Sequence, residues 1–135
     1  METTTFCPKC GQSVLVDCNS ETTEKELDEL ALQRCSCPEA KIWRYQQMQI
    51  AEAELNIESL CVADAHRLRM SEIENDEILD LLKKASRLIA YVKIKDVTVT
   101  TVGHGKIKIS RSVDGTISVK RTVGHTEELK ANKKY

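Results

Sequence analysis

The chain has 135 residues, of which 30% are charged and 41% hydrophobic, and its formal net charge is −1. This balance is typical of one ordinary folded domain or two very small ones, and it excludes a chain that is disordered throughout. No apolar run approaches the roughly 18–20 residues that span a bilayer, and the start of the chain lacks the basic and apolar segments of a secretory signal. We therefore expect a cytoplasmic protein, in which six cysteines favour metal binding over disulfides.

The charge is distributed unevenly along the chain. Residues 1–89 contain 10 Lys/Arg against 17 Asp/Glu, a balance of −7, whereas residues 90–135 contain 10 against 4, a balance of +6. An acidic first part and a basic last part indicate two surfaces with different partners. The alternative is that the uneven charge does not reflect binding to any partner, since small domains often have lopsided charge.

Two close cysteine pairs are the strongest motif in the sequence. Cys7 and Cys10 enclose Pro-Lys and are followed by Gly11, which permits the left-handed step that such a turn needs. Cys35 and Cys37 form the second pair. Four thiolates in two pairs complete a closed tetrahedral site, so we predict one Zn²⁺ bound by all four. The weaker alternatives are ordinary cysteines and a redox dithiol, which normally lies within a βαβ pattern that is missing here.

Between the two pairs the pattern predicts a strand and a helix. Val14-Leu-Val16 is typical of a short strand. Thr23 is followed three positions later by glutamate, a capping box that predicts a helix of about three turns to Arg34. Cys18 is a candidate substitute ligand that is better interpreted as a spare thiol. Together these elements predict a zinc-ribbon-like module over residues 1–38.

The middle of the chain favours helices, because residues 39 to 102 contain neither glycine nor proline. Two apolar stripes at helical spacing are separated by possible helix starts at Ser71 and Asn75. We predict an antiparallel helical hairpin over 39–91, broken between about Arg69 and Asp76; a continuous rod that dimerises is the alternative. The first stripe holds Trp43, Ile50, Ala53, Ile57 and Leu60, with Cys61 buried on it, and the second holds Ile78, Leu81, Leu82, Ala85, Leu88 and Ile89.

The glycines that follow punctuate a segment rich in Val, Ile and Thr, which predicts strands. We expect a three-stranded antiparallel β-meander over 92–126, with one strand near Ile94–Thr101 and two from the alternating segments that follow. Residues 127–135 are expected to form a disordered tail. The overall prediction is an α+β fold that contains a zinc ribbon, a central helical hairpin and a C-terminal meander in chain order.

The register of the last two predicted strands follows from their alternation. A two-residue turn at Asp114-Gly115 would mix the polar and apolar faces. A three-residue loop ending at Gly115 instead places Ile109 opposite Val119 and Lys108 opposite Lys120. We predict this loop, with Gly115 in the left-handed conformation, because consistent faces outweigh one pair of like charges.

In this register Lys106, Lys108 and Lys120 share one face with serine and threonine hydroxyls. Such a face can contact phosphates without reading sequence, so these lysines are candidate nucleic-acid-binding residues. A solvated face of a half-buried sheet is the alternative. No aromatic residue lies among the basic strands, which argues against a base-stacking surface. His104 and His125 end two Thr-Val-Gly-His segments, but two histidines alone make a poor metal site, and we assign them no role.

No catalytic motif is present, and a closed four-cysteine site leaves no position for an activated water, so we do not predict an enzyme. At Cys7-Pro-Lys-Cys10-Gly-Gln and Cys35-Ser-Cys37-Pro-Glu-Ala the chain resembles small zinc-ribbon proteins of bacteria and phages. The resemblance implies zinc, a ribbon that leads into helices and a short basic β tail, and a phage or mobile-element setting. It implies no activity and no functional residues beyond the ligands.

From these features we expect a non-enzymatic zinc-binding adaptor that contacts nucleic acid or a nucleic-acid-processing complex. The alternative is a protein-directed regulator or inhibitor of a host enzyme, for example one encoded by a phage, that acts through the acidic helices. A small redox enzyme is a third and weaker alternative. We expect no small-molecule substrate and no membrane association, and the sequence leaves open a monomer or a homodimer.

Overall fold

The protein is described by a computed structural model that covers residues 1–124 and 126–130. Its fold is α+β, as predicted, and it divides into two compact units, Met1–Gln46 and Gln47–Tyr135. No helix in the described part of the chain is long and apolar enough to cross a membrane. The elements are β1 (Glu2–Phe6), β2 (Ser13–Asp17), α1 (Glu24–Arg34), α2 (Pro38–Glu58), α3 (Asp76–Ala90), β3 (Asp96–Thr100), β4 (Lys106–Arg111), β5 (Ile117–Thr122) and β6 (Thr126–Lys130).

The first unit is built on a two-stranded ribbon. β1 and β2 are antiparallel and α1 packs on them. We predicted β2 and α1 but not β1, although its run of three threonines has β propensity. The cap of α1 forms as expected, because Thr23 Oγ1 accepts a hydrogen bond from Glu26 N at 3.2 Å. The apolar spacing of α1 predicts that Leu27, Leu30 and Ala31 are buried. Ala31 is buried, but Leu27 and Leu30 are only half-buried, and Leu32 is buried instead.

In the second unit α2 and α3 form an antiparallel pair. Salt bridges join Glu54 to Arg87 and Glu58 to Lys83, so residue numbers rise along α2 as they fall along α3. A π-helical turn, Ser59–Ala63, follows α2, and irregular chain leads to α3. The chain is not helical at Ser71, in agreement with the predicted break, and it is Asn75 that caps α3.

The buried face of α3 is rotated from the predicted one. Leu82, Ala85 and Ile89 are buried as expected, but Leu81 and Leu88 are 53% and 39% exposed. Their expected places in the core are taken by Leu79, Ser86 and Ala90. The rotation arises because α3 packs against β3, β4 and β5 as well as α2, so two surfaces rather than one stripe fix its orientation.

The cap at Asn75 offers a direct test of this helix start. Asn75 Oδ1 accepts from Glu77 N at 2.9 Å and from Ile78 N at 3.4 Å. We expect Asn75→Ala to lower the free energy of unfolding by about 1 kcal/mol, because two amides lose their acceptor. Asn75→Asp keeps that acceptor and should stay close to wild type in urea unfolding. Equal losses for the two variants would contradict a capping role.

The C-terminal sheet has four antiparallel strands in the order β3-β4-β5-β6, not three. β6 is formed by residues that we assigned to the end of the meander and to a disordered tail, and residues 131–135 of that tail lie outside the described residues. The predicted register is confirmed, with Ile109 opposite Val119 and Lys108 opposite Lys120. Gly115 has φ +89°, the left-handed conformation that the three-residue loop requires.

A buried arginine, Arg121, ties β5 to three other segments. It is fully buried on the core face of the sheet. Its Nη1 donates to Leu60 O at 2.9 Å and its Nη2 to Ser71 O at 2.7 Å, while Nε and Nη2 each reach His104 O at 3.3 Å. Burial lowers the pKa of Arg121, an effect that Cys61 partly opposes. We had not singled out this residue, although the alternation Ile117, Val119, Arg121 points it into the core.

Candidate metal centre and lysine face

The four cysteines of the predicted site all lie in the first unit, at the ends of its regular elements. Cys7 directly follows β1, and Cys10 lies in the turn that leads to β2. Cys35 is the C-cap of α1, where its amide donates to Ala31 O at 2.8 Å. Cys37 directly precedes α2, whose first residue is a proline, a residue suited to that position. The ribbon therefore supplies one pair and the junction between two helices supplies the other.

The four sulfur atoms form one compact group, all within 4.8 Å of one another. Cys7 Sγ lies 3.8 Å from Cys37 Sγ, and Cys10 Sγ lies 3.4 Å from Cys35 Sγ. Sulfurs bound tetrahedrally at about 2.3 Å from one ion are separated by about 3.8 Å. All four residues are free thiols, so the group could hold a metal ion without first breaking a disulfide.

Backbone amides point at these sulfurs. Ala40 N donates to Cys37 Sγ at 3.3 Å, and the amides of Lys9 and Cys10 donate to the sulfur of Cys7. Hydrogen bonds from amides stabilise the thiolate over the thiol, and the thiolate is the form that binds metal. The short turns therefore prepare the site electrostatically as well as geometrically.

The thiols also affect one another's protonation. Burial alone would raise the pKa of Cys7, but the amides of Cys10 and Lys9 and two neighbouring thiols lower it to about 7. The amide of Gln12 acts to lower the pKa of Cys10, but burial and its three neighbouring thiols raise it to about 12. Burial raises the pKa of Cys37. Ionisation of one thiol thus hinders the others, a penalty that a bound divalent cation removes by neutralising their charges.

The site is largely enclosed and supplies much of the core around it. Cys7, Cys35 and Cys37 are buried, whereas Cys10 is exposed. The remaining buried residues of this cluster are Leu32 and Ala40, with Val14 and Trp43 packed against it. Cys18 lies outside the group of four, and Cys61 is fully buried in the second unit, where burial raises its pKa to about 11. Burial keeps Cys61 an unreactive thiol at neutral pH.

The second candidate site is the outer face of the four-stranded sheet. Lys106, Lys108 and Lys120 are all exposed on it, and Lys108 lies directly opposite Lys120. β6 adds an exposed lysine that we had assigned to the disordered tail, Lys130, whose register position is opposite Ser118. We call these four residues the lysine face.

Two details of this surface differ from the sequence interpretation. Thr116 and Ser118 are 5% and 7% exposed, so these two hydroxyls are not available to a ligand. The face also contains carboxylates at its margins, Asp96 on β3 and Glu128 on β6, with Glu128 at 3.7 Å from Lys130. Four lysines against two carboxylates leave the surface positive.

Of the two histidines that end the Thr-Val-Gly-His segments, the structure describes His104. His104 Nδ1 lies 2.7 Å from Ser71 Oγ, a contact that fixes the β3–β4 loop to the chain before α3. His125, the other histidine of the repeated segment, lies outside the described residues. His104 therefore has a structural partner, and no metal-binding role is assigned to it.

The four-cysteine group and the lysine face differ in what they can bind. A closed set of four thiolates holds an ion without leaving a coordination position for substrate or water, so it stabilises structure. An exposed, positive sheet face attracts polyanions, and its backbone-directed contacts need no particular base sequence. The chain matches no protein-family model, no curated protein and no solved structure.

Proposed function

We propose that this chain is a non-enzymatic zinc-binding module that contacts the phosphate backbone of nucleic acid. Zn²⁺ is the ion proposed for Cys7, Cys10, Cys35 and Cys37, because four-thiolate tetrahedral sites are its usual structural environment. The ion holds the first unit together and takes no part in a reaction. The observation that carries the nucleic-acid proposal is the lysine face of the second unit.

The spacing of the lysines suits neighbouring phosphates. Residues on one face of a strand are about 6.6 Å apart, and adjacent strands are about 4.8 Å apart, so Lys106, Lys108 and Lys120 form a compact cluster. Lys130 extends the cluster towards the β6 edge. The four described strands carry no aromatic residue on which a base could stack, which favours contact with the backbone. We therefore expect weak, sequence-tolerant binding of duplexes.

Salt dependence tests this proposal. If four lysines neutralise four phosphates, the slope of log K against log salt should be about −3.6, and affinity should fall roughly 100-fold between about 50 and 200 mM salt. The triple variant K106E/K108E/K120E should lose most of the affinity, because three contacts become repulsive. Fluorescence anisotropy with labelled duplex DNA, duplex RNA and single-stranded DNA would measure these changes.

A charge-matched control separates a local effect from one of net charge. K25E/K41E/K84E changes the net charge equally at three exposed lysines that belong to the helices α1, α2 and α3 and should retain most of the affinity. Equal binding by wild type and K106E/K108E/K120E would remove the lysine face from the function. It would favour the protein-directed alternative, for which the helices offer a groove of about 440 Å³ lined by Ala51, Glu54, Leu55, Glu58 and Lys83.

A further inference from the structure

The edge strand β3 lacks the protection that sheet edges usually carry. Its sequence, Asp-Val-Thr-Val-Thr, contains no lysine, no proline and one charge, at Asp96. The opposite edge, β6, has charged residues at three of its five positions. Unprotected edges with high β propensity pair with other strands, whereas natural monomers usually block them with charge, proline or bulges. No described strand pairs with the outer side of β3, so β3 is the edge better suited to a partner strand.

The hydrogen bonds between β3 and β4 identify which backbone groups of β3 face outward. Thr101 N donates to Gly105 O at 2.9 Å, and Arg111 N donates to Lys95 O at 3.2 Å. Hydrogen-bonded pairs alternate along an antiparallel ladder, so the odd-numbered residues of β3 use their backbone groups to bind β4. The N–H and C=O groups of Asp96, Thr98 and Thr100 therefore point away from the sheet.

We propose that a second copy of this chain occupies this edge, with β3 pairing antiparallel to β3 about a two-fold axis at Thr98. In this register Thr98 faces Thr98 of the second copy as a hydrogen-bonded pair, and Asp96 faces Thr100. These are the outward-facing residues, so every open backbone group of the strand finds a partner. Threonine pairs favourably with threonine across strands, and no like charges meet.

The apolar side of the edge fits the same pairing. Val97 and Val99 are half-buried against the core of the second unit, and the two-fold register places Val97 opposite Val99 of the other copy. These form the close, non-hydrogen-bonded pairs in which side chains touch. Leu81 and Leu88 remain exposed on α3, the helix that packs on β3. A second copy would continue the core at an edge where it is now incomplete.

The pairing would also enlarge the lysine face. A two-fold axis perpendicular to the sheet keeps equivalent faces on the same side, so the Lys106 and Lys108 side chains of both copies would lie on one eight-stranded surface. The two β4 strands would be three strand spacings apart, about 14 Å. The dimer does not depend on nucleic-acid binding, so the two proposals can fail separately.

Sedimentation equilibrium of the full chain tests the dimer, and charge swapping tests its register. Thr98→Lys and Thr98→Glu should each raise the dimer dissociation constant at least about fivefold, because like charges would face each other at the axis. An equimolar mixture of the two variants should dimerise at least as well as wild type. Only a register in which Thr98 faces its own counterpart gives this rescue.

Two further variants complete the test. Thr98→Pro removes an outward amide without removing a bond to β4, so it should abolish the dimer while far-UV circular dichroism stays native. Thr126→Lys adds the same charge on the opposite edge and should leave the dimer intact. A wild type that is monomeric at millimolar concentration would overturn the proposal. Dimers that resist Thr98→Pro, or a mixture of Thr98→Lys and Thr98→Glu that shows no rescue, would also overturn it.

Discussion

Replacement of Cys35 by serine is expected to abolish binding of the Zn²⁺ proposed for the four-cysteine site and to unfold residues 1–46. The first unit is too small for its apolar core to hold it alone, since three of the five residues in its buried cluster are cysteines. Structural zinc sites contribute about 10–16 kcal/mol of binding free energy, which serves as folding free energy. Without the fourth thiolate, most of that contribution should be lost.

Trp43 provides the readout, because it is the chain's one tryptophan and packs against the cysteine cluster. Cys35→Ser, or a strong chelator added to wild type, should shift its fluorescence to that of an exposed indole and abolish amide protection over residues 1–46. Cys18→Ser, outside the group of four, should behave as wild type. Metal analysis of wild type should find one equivalent of zinc. Less than half an equivalent in protein purified without chelators, or an unchanged Trp43 signal in Cys35→Ser, would refute the site.

The features that could be predicted from the sequence are those set by short-range chemistry. Thr23 caps α1 because its hydroxyl reaches an amide three residues away, which needs no knowledge of the rest of the fold. The hairpin register follows from alternation and from Gly115, both contained in about 15 residues. Each cysteine pair is also set by short-range chemistry, because a short turn places its two sulfurs together. Only the fold brings the two pairs together into one group.

The features that could not be predicted depend on distant partners. β6 has glutamates and a lysine that disfavour a strand, and it forms through pairing with β5. α3 packs against both the sheet and α2, and these two contacts together fix its orientation. A single apolar stripe in the sequence cannot predict an orientation that depends on two partners. For the same reason the sequence predicted only three of the four residues of the lysine face, since Lys130 joins it only through β6.

Replacement of Arg121 by alanine is expected to be the most destabilising single change in the second unit. Its guanidinium binds the carbonyls of Leu60, Ser71 and His104, which belong to three different segments. A buried carbonyl left without a donor, as at Leu60, costs about 1–3 kcal/mol, and truncation also leaves a cavity. The carbonyls of Ser71 and His104 are only partly buried, so each should add less. We expect the free energy of unfolding to fall by at least about 3 kcal/mol. Arg121→Lys should recover only part of this, because a single ammonium cannot serve three carbonyls in different directions.

Arg111 supplies the matched control. It is also an arginine of this sheet, but it is half-buried and makes one long contact, from Nη1 to Ile89 O at 3.4 Å. Arg111→Ala should cost less than about 1 kcal/mol, as is usual for exposed or weakly bound side chains. Amide exchange would compare the two variants, because protection in β4 and β5 reports opening of this sheet separately from the metal site. If Arg121→Ala and Arg111→Ala lowered that protection equally, the three carbonyls would not depend on Arg121. The chain before α3 and the β3–β4 loop would then be held by other contacts, such as Ser71 with His104.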